Sequence, residues 1–187
     1  KSGKELSDGL YTMLGNRTDE DNEETDFILL YDNYGTLRTE IPIKSYRACN
    51  ILFGDDEIYF SASANELVAM DRLGRITEIY TLGDYQLHHD YIFGSREDFL
   101  VLATEEGKDT EEDRILSVDM ESGEVTEIID LADLFGDYLN TLDMENGDEE
   151  PFDWIHINSI RLIDDDSIII SSRETSTIIK IEDIYTE

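Results

Sequence analysis

Four strings in this chain share one form: Phe27-Ile28-Leu29-Leu30-Tyr31-Asp32, Glu66-Leu67-Val68-Ala69-Met70-Asp71, Arg114-Ile115-Leu116-Ser117-Val118-Asp119 and Ile178-Ile179-Lys180-Ile181-Glu182-Asp183. The first three run directly into a glycine turn, at Gly35, Gly74 and Gly123. A larger unit recurs around them. Asn50 to Ala62 matches Asp90 to Ala103, Leu67 to Tyr80 matches Ile115 to Ile129, and Asn50 to Asp90 is an offset of 40 residues. Repeats of about 40 residues built from four short strands are the pattern of propeller blades. One four-stranded sheet cannot bury both faces alone, so neighbouring units must stack. A stacked β-sandwich could carry repeats of similar size, but the recurring Asp-then-Gly turn favours blades. The expectation is an all-β chain of four-stranded antiparallel sheets, β-propeller blades, forming one partial domain over 1–187 with three to four blades. A third copy of the unit starts at His156, delayed by an insertion from Leu131 to Pro151; the first part, Leu131 to Phe135, is predicted to form a short helical turn.

In chain order, strands are expected at Leu10–Leu14, Phe27–Asp32, Thr36–Ile43, Tyr46–Phe53 and Ile58–Ala62, with a solvated acidic loop over 15–26. The most informative stretch comes late. Asp153-Trp154-Ile155-His156-Ile157-Asn158-Ser159-Ile160 leads into a strand, an acidic turn at Asp164-Asp165-Asp166, and a second strand ending at Ser171-Ser172-Arg173. Folding this hairpin about Asp165 pairs position i with 330 − i, which sets His156 opposite Glu174 with Arg173 diagonal to it. His156 and Asn158, two apart on a strand, should share a face. An imidazole, an amide and a guanidinium at one ribbon end would suit a tetrahedral oxyanion.

All three histidines of the chain fall in two segments, this one and Tyr85-Gln86-Leu87-His88-His89-Asp90, each opening the first strand of a unit. Alternation lets only one of His88 and His89 point fully inward, and the turn lengths leave open which. A pair hydrogen-bonded to Asp90 and the next blade is the plainer alternative. Trp154 beside the hairpin is expected to be buried in blade packing, although stacking on an aromatic substrate is an alternative.

The string Asp153 to Ile160, the hairpin, Ser171-Ser172-Arg173 and the apolar strand Thr177 to Ile181 together resemble the aryl-sulfate sulfotransferase (arylsulfotransferase, ASST) family. The resemblance implies a fragment of a six-bladed propeller, with the remaining blades absent from this chain, and an extracytoplasmic protein: periplasmic, secreted or membrane-anchored. It implies transfer of a sulfuryl group from an aryl sulfate donor to a phenolic acceptor without PAPS, through a sulfohistidine. By that pattern His156 and Arg173 are catalytic, Asn158 and one of His88/His89 bind substrate, and neither a metal nor an organic cofactor is implied. The family's nucleophilic His has no match here and is expected beyond Glu187. The competing reading is a non-catalytic propeller for binding or scaffolding, in which the histidines would not converge.

Charge narrows the partners. A net charge of −32 makes nucleic acid and anionic membrane surfaces poor candidates. The 40% hydrophobic content, arranged in short alternating runs, argues that this acidity clothes a folded chain. No EF-hand-type loop is present. The single Cys49 cannot form an intrachain disulfide or build a zinc site alone, and is expected in the core. No apolar run approaches the roughly 18–20 residues of a membrane span. The first residues lack an initiator Met and an apolar segment, so a piece of a larger gene product, or a processed chain, is expected. A fragment's end blade would either hide its apolar face by association, for example as a homo-oligomer, or expose it. Asn16-Arg17-Thr18 matches an N-glycosylation acceptor.

Overall fold

The Asp-then-Gly strings are strands followed by tight turns. In this computed structural model, which describes residues 7–15, 25–44, 49–142 and 151–186, β1 (Leu10–Gly15), β2 (Thr25–Asp32) and β3 (Leu37–Lys44) form one sheet in chain order. A second sheet follows with β4 (Ile51–Phe53), β5 (Glu57–Ser63), β6 (Glu66–Asp71) and β7 (Ile76–Thr81), also in chain order. The third holds β8 (Tyr85–Phe93), β9 (Asp98–Glu105), β10 (Arg114–Asp119) and β11 (Val125–Asp130); the fourth holds β12 (Ile157–Leu162), β13 (Ile168–Ser172) and β14 (Thr177–Ile181). The paired strands with a described register are all antiparallel. This is the all-β architecture of propeller blades.

The turn chemistry explains why the repeat ends in Asp. Asp32 closes its turn by accepting Gly35 N–H on its carbonyl, while Oδ1 accepts Tyr34 N–H at 2.9 Å and Thr36 N–H at 2.8 Å. Asp71 does the same with Leu73 and Arg75, both at 2.9 Å. Asp119 uses Glu121 N–H and Ser122 N–H. An acceptor-only carboxylate suits a turn that presents several N–H groups. Gly35 and Gly74 both sit at φ +79°, where a side chain is strained.

The described residues fall into two compact units, divided between Thr77 and Glu78 within β7. The first buries Ile28, Ile43, Phe60, Val68 and Met70 between its sheets. The second buries Leu100 and Leu102 of β9 against Ile160 and Ile170 of the fourth sheet, with Ile115, Ile129 and Trp154 completing the core. β9 is buried from Asp98 to Ala103, as expected of a central strand covered on both faces, whereas β14 is largely exposed. Each fully buried Leu or Ile contributes about 1.5–3 kcal/mol. Within this unit β12 lies beside β8, and Asp90 Oδ2 accepts Ile160 N–H at 3.2 Å.

Several expectations are refined. Of the strand expected over Tyr46–Phe53, Ile51–Phe53 is observed and 45–48 lie outside the described residues. Thr25 and Asp26, expected in the acidic loop, open β2; residues 16–24, with Asn16-Arg17-Thr18, lie outside the described residues. Cys49 is half-buried rather than a core residue, because it precedes β4 instead of sitting within a strand. The insertion does begin with a helical turn, α1 (Leu131–Leu134), capped by Asp130, whose side chain accepts Ala132 N–H and Asp133 N–H. A second turn, α2 (Gly136–Leu139), follows. Among the described residues no helix is long and apolar enough to cross a membrane.

Candidate functional site

Two interruptions of regular pairing shape the site. The hairpin follows the 330 − i register from Leu162↔Ile168 to Ser159↔Ser171, then slips to Ile157↔Ser172. Asn158 is the extra residue of this bulge, and bulges bend a strand and re-aim its side chains. The slip sets His156 opposite Arg173, whose N–H donates to the His156 carbonyl at 3.0 Å, and not opposite Glu174 as strict alternation required. It also separates His156 from Asn158. His156 is buried, while Asn158 is exposed and its Oδ1 accepts Ser171 Oγ–H at 2.5 Å.

In β8 the register jumps between Leu87↔Ala103 and Tyr91↔Val101, so His88, His89 and Asp90 lie in an irregular arc. This arc removes the one-in, one-out constraint on the two histidines. His89 Nε2 reaches His156 Nε2 at 2.9 Å, and the His88 ring packs edge-on against His89 with centroids 5.5 Å apart. His88 is half-buried, with both ring nitrogens shielded from solvent; neither makes a well-formed hydrogen bond, although the ring leans on the Ala103 carbonyl. Burial, reinforced by the His89 ring, pushes His88 down to about 3, so it is neutral near pH 7.

Two carboxylates complete the cluster. His156 Nδ1 is 2.7 Å from Asp153 Oδ2 and 2.5 Å from Glu112 Oε2. Arg173 Nη2 donates to the same Asp153 oxygen at 2.8 Å, so Asp153 ties the imidazole to the guanidinium. Glu112 Oε2 also lies 3.5 Å from His89 Nε2. Burial raises the Glu112 carboxyl, with Asp153 adding to the rise and a protonated His156 opposing it. With both imidazoles neutral, the proton placement that fits is His156 Nδ1–H donating to Asp153 while its Nε2 accepts His89 Nε2–H.

The backbone marks the same spot. His89 (φ 54°), Glu112 (φ 54°) and His156 (φ 47°) are three of six non-glycine residues with positive φ among the described residues. Such conformations cost about 1–3 kcal/mol each and persist where surrounding structure enforces them, commonly at functional sites. Asp153 belongs to the motif string, where no local rule gives it a role, and Glu112 lies outside both histidine segments. Nothing in Glu111-Glu112-Asp113 distinguishes a site residue from a solvated acidic loop. Trp154 is buried as expected, donating to Asp113 Oδ2 at 2.9 Å, and is not placed for substrate stacking.

The family model for Arylsulfotransferase (ASST) matches residues 1–186. The chain belongs to the arylsulfotransferase family. No curated protein matches it. Among solved structures it is similar to a crystal structure of HIRA(644–1017), at 13% identity and a TM-score of 0.41. That likeness covers 95% of this chain and 54% of the other, so the chain spans about half the length of that solved chain. For an arylsulfotransferase, the neighbourhood of His156 holds more negative charge than an oxyanion cradle alone would need.

Proposed function

We propose that the chain supplies the sulfuryl-binding part of an aryl-sulfate sulfotransferase that works without PAPS. The observation that carries this reading is the meeting of His89, His156 and Arg173, from two segments 67 residues apart at the histidines, in a chain of this family. A binding or scaffold propeller gives no reason for its histidines to converge. In the proposed reaction a histidine nitrogen attacks sulfur, the S–O bond breaks, and the aryl oxygen leaves as phenolate or takes a proton. The acceptor phenol oxygen then attacks the sulfohistidine as its proton passes to His156, the N–S bond breaks, and the new aryl sulfate and the free imidazole result. His156 and Arg173 hold and neutralise the sulfonyl oxygens, and His156 in its protonated form donates to the departing phenolate. Asp153 orients both groups through one shared oxygen. Asn158 and the Ser171 hydroxyl flank the ribbon end, where the amide contacts substrate after release from Ser171. The nucleophilic His belongs to another blade of the intact protein. Extracytoplasmic placement and self-association are part of the same proposal.

The test uses the intact protein with 4-nitrophenyl sulfate as donor and phenol as acceptor. Arg173→Lys should slow transfer about 10²–10³-fold, since an ammonium cannot replace a planar fork on two oxygens. His156→Ala should cost a comparable factor with the fold retained. Transfer at the unmodified rate by both variants would overturn the assignment.

A further inference from the structure

The two carboxylates beside His156 are poorly suited to an anion and well suited to a cation. Buried polar atoms without a partner cost about 1–3 kcal/mol each and call for an unseen occupant. Three such atoms gather here, both ring nitrogens of His88 and Asp153 Oδ1, and beside them Glu112 Oε2 faces His156 and His89 without a well-formed hydrogen bond. Both carboxylate oxygens carry lone pairs when ionised, and a neutral His88 ring offers one more, on whichever nitrogen lacks the proton. We propose that His88, His89 and Glu112, with Asp153 and His156 alongside, form a binding site for a divalent transition-metal cation of the zinc class.

The geometry supports three direct ligands. His88, His89 and Glu112 each offer one ligand atom, and these lie within 4.8 Å of one another; the same holds for Glu112, Asp153 and His156. Ligands about 2.0–2.2 Å from a tetrahedral zinc stand roughly 3.3–3.6 Å apart. The His89 Nε2 to Glu112 Oε2 separation of 3.5 Å already meets that spacing. Imidazole and carboxylate donors without thiolate favour zinc, cobalt or nickel over calcium or magnesium. Partial exposure of the His89 and Glu112 side chains leaves a route of entry. His156, held at Nδ1 by Asp153, is the neighbour placed to add a fourth ligand through Nε2 or to orient the first three. The cation would place positive charge where two carboxylates otherwise repel an anion. It goes beyond the transfer reading, because binding requires no catalysis.

The experiment uses the intact protein stripped with a chelator and titrated calorimetrically with Zn²⁺, then loaded with Co²⁺ for its visible spectrum. The expected result is one tight ion per chain, with cobalt bands of nitrogen and oxygen ligation. His89→Ala and Glu112→Gln should each weaken that ion at least about 10–100-fold. Asp55→Asn with Asp56→Asn, at an exposed turn, controls for the acidic surface and should leave the tight ion unchanged. Absence of a tight ion, absence of imidazole-type cobalt bands in the unmodified protein, or equal weakening by the Asp55/Asp56 control would each overturn the proposal. Running the transfer assay in chelator keeps the two ideas separate, since metal binding can fail while transfer persists, and the reverse.

Discussion

The sheets β4–β7 and β8–β11 are built on one plan and do different things. At matched turns Asp71 and Asp119 each collect backbone N–H groups, and Gly54 and Gly94 hold corresponding positions 40 residues apart. Their first strands diverge. β4 is three apolar residues, whereas β8 is nine residues long and breaks register around two histidines. Their third strands diverge too. β6 begins with Glu66, held by Ser63, while β10 begins with Arg114, 3% exposed and ringed by Asp113, Asp130, Glu105 and Glu127. The repeat specifies hairpins and core; the polar chemistry sits where one copy departs from it.

The largest expected contrast is at those third strands. Arg114→Met should destabilise by about 3–5 kcal/mol, because it strands the fully buried Asp113 without its cation. Glu66→Gln at the matched position should stay within about 0.5 kcal/mol. Denaturant unfolding followed by the Trp154 fluorescence and by circular dichroism checks both, and equal losses would break the comparison.

Next come the matched glycines. A Cβ on Gly94 would lie 2.0 Å from Asp98 Oδ1 and 2.7 Å from the Tyr185 hydroxyl, inside a buried network in which Asp98 also accepts Ser117 Oγ–H. On Gly54 the nearest atom is the Tyr59 ring edge at 3.1 Å, which can move. Gly94→Ala should cost about 1–3 kcal/mol and Gly54→Ala less than about 1 kcal/mol, read from urea midpoints.

A smaller contrast depends on pH. A histidine lowered from 6.5 to about 3 binds its proton more weakly when folded than when unfolded. The stability it contributes is therefore complete above pH 6.5 and lost as pH falls toward about 3. In chelator, His88→Asn should flatten this acid limb, measured as urea midpoints between pH 7 and 4. Glu112 works in the opposite sense: its raised carboxyl contributes stability present below 4.5 and lost as pH rises through the folded value. Glu112→Gln should remove that opposing slope. If His88→Asn leaves the acid limb as steep as before, the burial assigned to this ring is wrong.

The smallest effects belong to the shared frame. Asp71 is held below the usual carboxylate range first by the Arg75 backbone N–H and then by its guanidinium, and Asp119 by the Ser122 hydroxyl and N–H. Depressed carboxylates contribute stability present above the unfolded value of 3.8 and lost below it. Asp71→Asn and Asp119→Asn should therefore lower the melting midpoint slightly and alike. A large difference between them would show that the two turns are not equivalent.

The frame was legible because it follows from local rules. Alternation marked the strands, Asp and Gly marked the turns, and folding the hairpin about Asp165 gave four correct pairs, from Leu162 to Ser159, as far as its bulge allowed. What followed was not legible. A one-residue bulge at Asn158 has no composition of its own, yet it moves His156 from Glu174 to Arg173. The arc at His88–Asp90 likewise admitted both histidines where alternation allowed one. Glu112 reaches His156 from the loop between β9 and β10, a contact set by sheet stacking rather than by spacing. The family motif marked His156 and Arg173, and it was silent about the acid that links them.

The left-handed backbone at His89, Glu112 and His156 sets stability against chemistry. Glycine would relax each of these positions, so drift in a copy released from selection should move there first and yield a sturdier, inert blade. Retention of three side chains against that pull would be a record of selection written in the main chain. It can be read by comparing which of these positions become glycine in descendants that keep the fold.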